Sequence, residues 1–82
     1  MNWNVYILKC NDSTLYVGVT TNIARRILEH NTCNNKGAKY TRSRRPVKLV
    51  YSEPQPTRSD ACKREAALKK LTRAQKQALI DA

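Results

Sequence analysis

The most constraining feature of the chain is a pair of alternating segments joined by a short polar turn. Residues 3–9, Trp-Asn-Val-Tyr-Ile-Leu-Lys, and residues 14–20, Thr-Leu-Tyr-Val-Gly-Val-Thr, are rich in β-branched and aromatic side chains. Such side chains suit a pleated, half-buried surface. Asn11-Asp12-Ser13 between them is turn chemistry, so an antiparallel hairpin is expected. Its register follows from the two-residue period of a strand. Trp3, Val5 and Ile7 share one face, and Asn4, Tyr6 and Leu8 share the other. In the second strand Leu15, Val17 and Val19 oppose Tyr16, Gly18 and Thr20. A one-residue slip would mix the apolar and polar sets. Keeping them apart requires an odd-numbered connection, and three-residue hairpin loops are common. Tyr6 and Tyr16 then lie on one face, with Tyr6 opposite Gly18. The glycine either leaves open space beside two phenols or marks a bulge or a close backbone approach.

The rest of the chain supplies backing for this hairpin. Thr20, Thr21 and Asn22 are three N-cap candidates for a helix over about 23–31, with Ile23 and Ile27 as its buried stripe. Arg26 and His30, four apart, are neighbours on one flank, and Arg25 and Glu29 form a similar pair. Asn31 is expected to end the helix. Residues 32–46 form a long polar connection with five positive charges, one tyrosine and no acid. A loop of about 15 residues in a compact domain tends to be functional or mobile. Composition marks this one as an interaction arm, or equally as a solvated charged loop. A third strand over 47–53 is bracketed by Pro46 and Pro54. Thr57 or Ser59 caps a helix over about 58–70, whose apolar members are Ala61, Cys62, Leu68 and Leu71, with Glu65 bordering the buried side. Thr72 caps a last helix to about Ile80, with Ala78 and Leu79 facing inward. The expected architecture is one α+β domain of 82 residues, a small three-stranded antiparallel sheet flanked by three helices in the order β-β-α-β-α-α.

Charge decides between partner classes. Sixteen Lys and Arg against six Asp and Glu give a formal net charge of +10, a strong bias toward a polyanion, with nucleic acid ahead of an anionic membrane. No apolar run approaches the ~18 residues that span a bilayer. No helix pairs a strong apolar face with a wholly basic one, so membrane binding is not expected. Met-Asn-Trp-Asn carries no basic n-region and no apolar h-region of useful length, so a secretory signal is not expected and the cytoplasm is the expected compartment. Cys10, Cys33 and Cys62 are odd in number, widely spaced and without a pairing motif. Reduced thiols, one or two of them buried, are expected rather than disulfides or zinc ligands.

Two tyrosines on one sheet face, an arginine and a histidine on the next helix, and a glutamate on a later helix make a coherent set. Phosphodiester hydrolysis needs a proton acceptor for water and a cation for the charge building on phosphoryl oxygens. It also needs a metal for the leaving oxygen and a positive surface for the backbone. Tyr, Arg, Glu and the Lys/Arg arm match these needs in that order. A phenol titrates near pH 10, so a tyrosine base needs nearby positive charge, such as Arg26 and a metal, to favour its phenolate.

At these residues the chain resembles the GIY-YIG nuclease superfamily. Asn4-Val5-Tyr6 and Tyr16-Val17-Gly18 stand as the two motif halves, ten residues from tyrosine to tyrosine. Arg26 follows Gly18 by eight residues and His30 follows Arg26 by four. Glu65 lies in the later Lys-Arg-Glu-Ala-Ala-Leu-Lys-Lys segment. The Lys36-Gly37-Ala38-Lys39-Tyr40-Thr41 and Arg45-Pro46-Val47 segments resemble the short single-domain branch.

The resemblance implies hydrolysis of a DNA phosphodiester with one divalent metal, Mg²⁺ or Mn²⁺. It implies that Tyr6 or Tyr16 activates water, directly or through His30. Arg26 would stabilise the phosphoryl transition state, and Glu65 would hold the metal. Branched, nicked or damaged DNA in repair or recombination is the expected substrate class. Lys36, Lys39, Tyr40, Arg42, Arg44 and Arg45 are the expected nucleic-acid contacts, with Gly18 structural at the site. Without the separate DNA-binding domain that many members carry, the basic arm or a protein partner would supply targeting. Three positions depart from the family. Asn4 replaces the first glycine, Val19 stands where excision-repair members carry a functional lysine, and no asparagine follows Asn35. The last two weigh toward a nucleic-acid-binding module of the same fold with little or no turnover. Plain structural roles also exist: packed strand tyrosines, a histidine favoured by a helix C-terminus, and a Glu65–Lys69 ion pair.

Overall fold

The computed structural model describes residues 2–32 and 39–82. The elements run β1 (Trp3–Lys9), β2 (Leu15–Thr20), α1 (Ile23–Thr32), α2 (Lys39–Arg42), β3 (Lys48–Gln55), α3 (Arg58–Lys69) and α4 (Arg73–Asp81). The three strands form one antiparallel sheet in the order β2-β1-β3. This is the expected architecture, with one short helical piece, α2, added where the polar connection was read as loop throughout.

The hairpin has the expected register, with Tyr6 opposite Gly18 and Leu8 opposite Tyr16. Its turn closes through Ser13 N–H to Cys10 O and Cys10 N–H to Thr14 O, each 2.9 Å. Ser13 takes the left-handed conformation, φ 68°, as the last residue of a three-residue loop commonly does. Asp12 Oδ1 accepts from Thr14 N at 3.1 Å and from Thr14 Oγ1 at 2.6 Å, which holds the turn's exit.

β1 is central, so its alternation builds two layers. Val5 and Ile7 join Val17, Ala61 and Leu68 in a core beneath α3 and α4, flanked by Trp3, Leu15, Val50, Leu71, Leu79 and Ile80. Tyr6, Leu8, Cys10 and Val47 form a second buried cluster on the opposite face, flanked by Tyr16 and Ile27. Strand β3 runs through Pro54 to Gln55 instead of stopping before the proline. It is an edge strand, where a residue without an N–H costs no ladder bond on the outer side.

Several helix details differ from the sequence reading. Asn22 is the cap of α1: its Oδ1 accepts from Arg25 N at 3.0 Å. The fully buried side chain of α1 is His30, and the two isoleucines are only half-buried. Thr57 caps α3 through Asp60 N at 3.1 Å, and Thr72 caps α4 in a reciprocal box with Gln75. Cys62 is exposed, because it is rotated about 100° around the helix from buried Ala61. Ala78 is exposed for the same reason, while Leu79 and Ile80 face the core. Cys10 is buried, and its thiol is pushed up by that burial. Cys33 lies outside the described residues. No described helix is long and apolar enough to cross a membrane.

Candidate active site

The second cluster, on the α1 side of the sheet, is polar at its centre. Tyr6 is 1% exposed and its hydroxyl lies 2.9 Å from His30 Nε2. His30 is wholly buried, and its Nδ1 lies 2.8 Å from Thr41 Oγ1 on α2. Tyr6 stands on the central strand because the alternation puts it there. His30 reaches it because α1 is capped by Asn22, which places position 30 in the last turn, over the sheet. The backbone carbonyl of His30 accepts from Arg45 Nε at 2.5 Å. Asn31, expected only to end the helix, exchanges two bonds with the Val47 backbone, 2.8 and 3.1 Å. These contacts pin the segment after α2 to the end of α1.

Gly18 does not leave open space. A Cβ there would meet the Tyr6 ring, 2.5 Å from Oη and 2.6 Å from Cζ. The glycine lets the phenol lie flat over its backbone, so the close-approach reading is the correct one.

Arg26 closes the set from α1. Its guanidinium donates to Glu29 Oε1 at 3.1 Å. Burial works against its charge, but Glu29 and the Tyr6 hydroxyl beside it outweigh that and hold its pKa above the ordinary value. Arg25, the expected partner of Glu29, is farther off at 3.9 Å. Burial pushes Tyr6 up to about 12; the Arg26 hydrogen bond pulls the other way, while Tyr16 and Glu65 push further up. Arg26 does favour the Tyr6 phenolate, as expected, but desolvation of a phenol 1% exposed is the larger effect. His30 is lowered to about 4, by burial first and then by the Arg26 charge. Both groups are neutral at pH 7.

Glu65 is half-buried on α3 and is felt electrostatically at Tyr6. Its carboxylate lies 3.6 Å from Lys69 Nζ, a loose pair. Tyr16 is half-buried, set edge-on to His30 at 5.2 Å between ring centroids and stacked on Tyr40 at 5.7 Å. Tyr6, Tyr16, Arg26 and His30 thus come together from β1, β2 and α1, while Glu65 on α3 acts on Tyr6 through its charge alone.

The expected nucleic-acid contacts are divided. Tyr40 is 39% exposed and lies between Tyr16 and the Arg44 guanidinium, whose Cζ is 4.1 Å from the ring centroid. Arg44 also donates to Asp12 Oδ2 at 3.0 Å and to Tyr40 O at 2.7 Å, which ties the arm to the hairpin turn. Arg45 holds the end of α1. Arg42 is exposed. Lys39 opens α2, and Lys36 lies outside the described residues. Sequence reading gives Thr41, Glu29, Asn31 and Asp12 no role at the site: Glu29 stands as a partner of Arg25, Asn31 as a helix end and Asp12 as a turn residue.

The GIY-YIG catalytic-domain model matches residues 2–78. The chain belongs to the GIY-YIG family. A UPF0213 protein of Desulfotalea psychrophila is 60% identical over 98% of this chain and 72% of its own. A UPF0213 protein of Staphylococcus epidermidis is 53% identical over 93% of this chain and 90% of its own. Two solution NMR structures share the fold over 99% of this chain and 84% of theirs. One is a UPF0213 protein from Bacillus halodurans, 43% identical with a TM-score of 0.61. The other, from E. faecalis, is 47% identical with a TM-score of 0.67. Membership in the GIY-YIG family implies nuclease activity.

GIY-YIG nucleases generally use a divalent metal ion, and the donor chemistry here admits one kind. Among the described residues no three His, Cys, Asp or Glu side chains gather, which rules out a closed cage of zinc type within them. Glu65 offers a lone, half-buried carboxylate with a loosely held partner. A lone carboxylate suits a hard cation that keeps most of its waters and takes the rest of its oxygens from a phosphate. The residues fit Mg²⁺ or Mn²⁺ on those terms.

Proposed function

We propose that this GIY-YIG protein is a metal-dependent endonuclease that hydrolyses DNA phosphodiester bonds in the cytoplasm, acting on branched, nicked or damaged DNA. The observation that carries the reading is the buried Tyr6–His30 pair with Arg26 and Tyr16 beside it, a phenol at which the Glu65 charge is also felt. The +10 charge supports a polyanionic substrate. Exposed Lys63, Lys69, Lys70 and Arg73 on and after α3 add to the arm's Arg42.

In this reading a water molecule sits on the Tyr6 oxygen. Its O–H bond breaks as its oxygen bonds to phosphorus and the bond from phosphorus to the 3′-oxygen breaks. The water proton goes to the Tyr6 oxygen while the Tyr6 proton passes to His30 Nε2. Tyr6 stays neutral at the start and the end, so its high pKa is no obstacle. The resting site is uncharged at both relay members. The scissile phosphate brings the negative charge that favours an imidazolium beside Arg26. Arg26, already committed to its charge, stabilises the phosphoryl oxygens. When held at Glu65, Mg²⁺ or Mn²⁺ supplies positive charge to the leaving 3′-oxygen. Tyr16, more open to solvent than Tyr6, guards the imidazole edge.

The test uses supercoiled plasmid and branched substrates with Mg²⁺ or Mn²⁺, alongside Arg26→Ala and Glu65→Ala. Each substitution is expected to abolish cutting; cleavage that survives both points to a contaminant and ends the proposal. A second reading, a binding module with little turnover, draws on Val19 and on the internal commitments of Arg44 and Arg45. It predicts salt-sensitive binding that ignores both Glu65→Ala and chelator. A protein partner that targets the chain to DNA would be recovered in complex from cells after nucleic acid is digested.

A further inference from the structure

We propose that Thr41 is a positioning residue: its hydroxyl oxygen accepts the Nδ1–H of His30 and so leaves Nε2 bare to receive the Tyr6 proton. The catalytic meaning of this rests on the nuclease reading above; the hydrogen-bond assignment does not.

The assignment follows from counting donors around one hydroxyl. The hydrogen-bond partner of the Tyr6 hydroxyl is His30 Nε2, at 2.9 Å. If Nε2 carried the proton, the Tyr6 oxygen would accept it, and the hydroxyl's own proton, on a side chain 1% exposed, would have no acceptor among the described residues. The hydroxyl proton therefore points at Nε2. A neutral imidazole has one donor and one acceptor nitrogen, so Nδ1 carries the ring proton. At 2.8 Å, Thr41 Oγ1 is its acceptor.

Burial gives this bond its force. Tyr6 is 1% exposed and His30 and Thr41 are 0% exposed. Water does not reach the His30 ring or the Thr41 hydroxyl to replace a lost partner there, and the two ring nitrogens are coupled, so the partner of one sets the role of the other. Thr41 also has an unusual place. It sits on α2 between Tyr40 and Arg42, two residues of the basic arm expected to meet nucleic acid. Its neighbours are exposed and it is not. The arm therefore sends one side chain inward, and that side chain governs which nitrogen of His30 faces Tyr6.

The experiment compares the full chain with Thr41→Val and Thr41→Ser, labelled with ¹⁵N. Long-range NMR correlations of His30 are read at neutral pH, and plasmid cleavage is measured in parallel. Wild type and Thr41→Ser are expected to show a protonated Nδ1 and an unprotonated Nε2. Thr41→Val, which keeps the shape but removes the acceptor, is expected to populate the Nε2–H tautomer. Its kcat should fall about tenfold or more, the scale of lost general-base action, at unchanged KM, with recovery in Thr41→Ser. A protonated Nε2 in wild type overturns the proposal, as does a Thr41→Val protein with wild-type tautomer and wild-type kcat. If Thr41→Val loses its dispersed amide spectrum, the wild-type tautomer alone decides. A wild type that cuts nothing defeats the nuclease reading, while the nitrogen shifts still test the hydrogen-bond assignment.

Discussion

Gly18→Ala is the sharpest probe of how the site is built. Gly18 has no positive φ, so alanine is compatible with its backbone. At an unhindered position of that kind the change stabilises a protein by about 0.4–1 kcal/mol, through the unfolded state. Here the new methyl would sit 2.5 Å from Tyr6 Oη, 2.6 Å from Cζ and 3.1 Å from Cε1. The ring has nowhere easy to go, being 1% exposed and tied to His30. Overpacking costs roughly 1–3 kcal/mol. A displaced phenol would also leave His30 Nε2 buried without a partner, another ~1–3 kcal/mol. The expected net loss of about 1–5 kcal/mol, after the generic gain is subtracted, has the opposite sign to that gain. It is a large share of the ~4–12 kcal/mol total stability of a domain this size.

Urea unfolding followed by circular dichroism measures it. With a slope near 1 kcal/mol per molar, the midpoint should drop by roughly 1 M or more. The partner variants localise the cause. Tyr6→Phe removes only the Oη contact, so it should not rescue Gly18→Ala. Tyr6→Ala removes the whole ring, and against that background Gly18→Ala should cost less than about 0.5 kcal/mol or even stabilise. An unchanged or raised midpoint for the single variant would refute the reasoning. So would an equal cost with and without the Tyr6 ring.

Acid should unfold the protein through His30 before it titrates the carboxylates. The His30 pKa falls from 6.5 to about 4 on folding, so the unfolded chain takes the proton first. Stability present above pH 6.5 should drain away as pH falls to 4, by about 3 kcal/mol in all; a urea midpoint flat across that window would contradict it. His30→Gln should remove the slope, whereas Glu53, whose pKa is lowered on folding, contributes only below the ordinary carboxylate range. Tyr6→Phe should destabilise by about 1–3 kcal/mol through the orphaned imidazole. Tyr16→Phe, half-buried and with no hydrogen bond from its hydroxyl among the described residues, should stay within about 0.5 kcal/mol. Equal losses in the two thermal melts would show that the buried bond adds nothing.

The hairpin was legible because a strand's period and an odd-numbered turn leave little choice of register. Tyr6 opposite Gly18 came directly from that. The helix caps were legible as a short menu, from which Asn22 and Thr57 were selected by geometry the sequence does not encode locally. What stayed hidden depends on contacts between distant segments. Thr41 lies in a stretch whose charges read as surface, and only its docking beside His30 makes it interior. Arg44 and Arg45 read as phosphate ligands by composition; their contacts with Asp12 and with the His30 carbonyl need the folded chain. The Tyr6 pKa is misjudged from sequence for the same reason. Proximity of an arginine is easy to foresee, but the degree of desolvation that outweighs it is not.

The two-layer arrangement around β1 has a consequence for how the molecule breathes. Local opening is easiest where few apolar groups are buried. The face under α3 and α4 holds the larger apolar core, while the α1 and α2 side is a thinner layer around a polar centre. Amide exchange should therefore find β1 and α3 protected longest and the end of α1 released earlier. Tyr6 and Glu65 ride on the stiff half, and His30 and Thr41 ride on the half that lifts. The phenol and the carboxylate form a fixed anvil, and the imidazole is the part that can swing away from it and return.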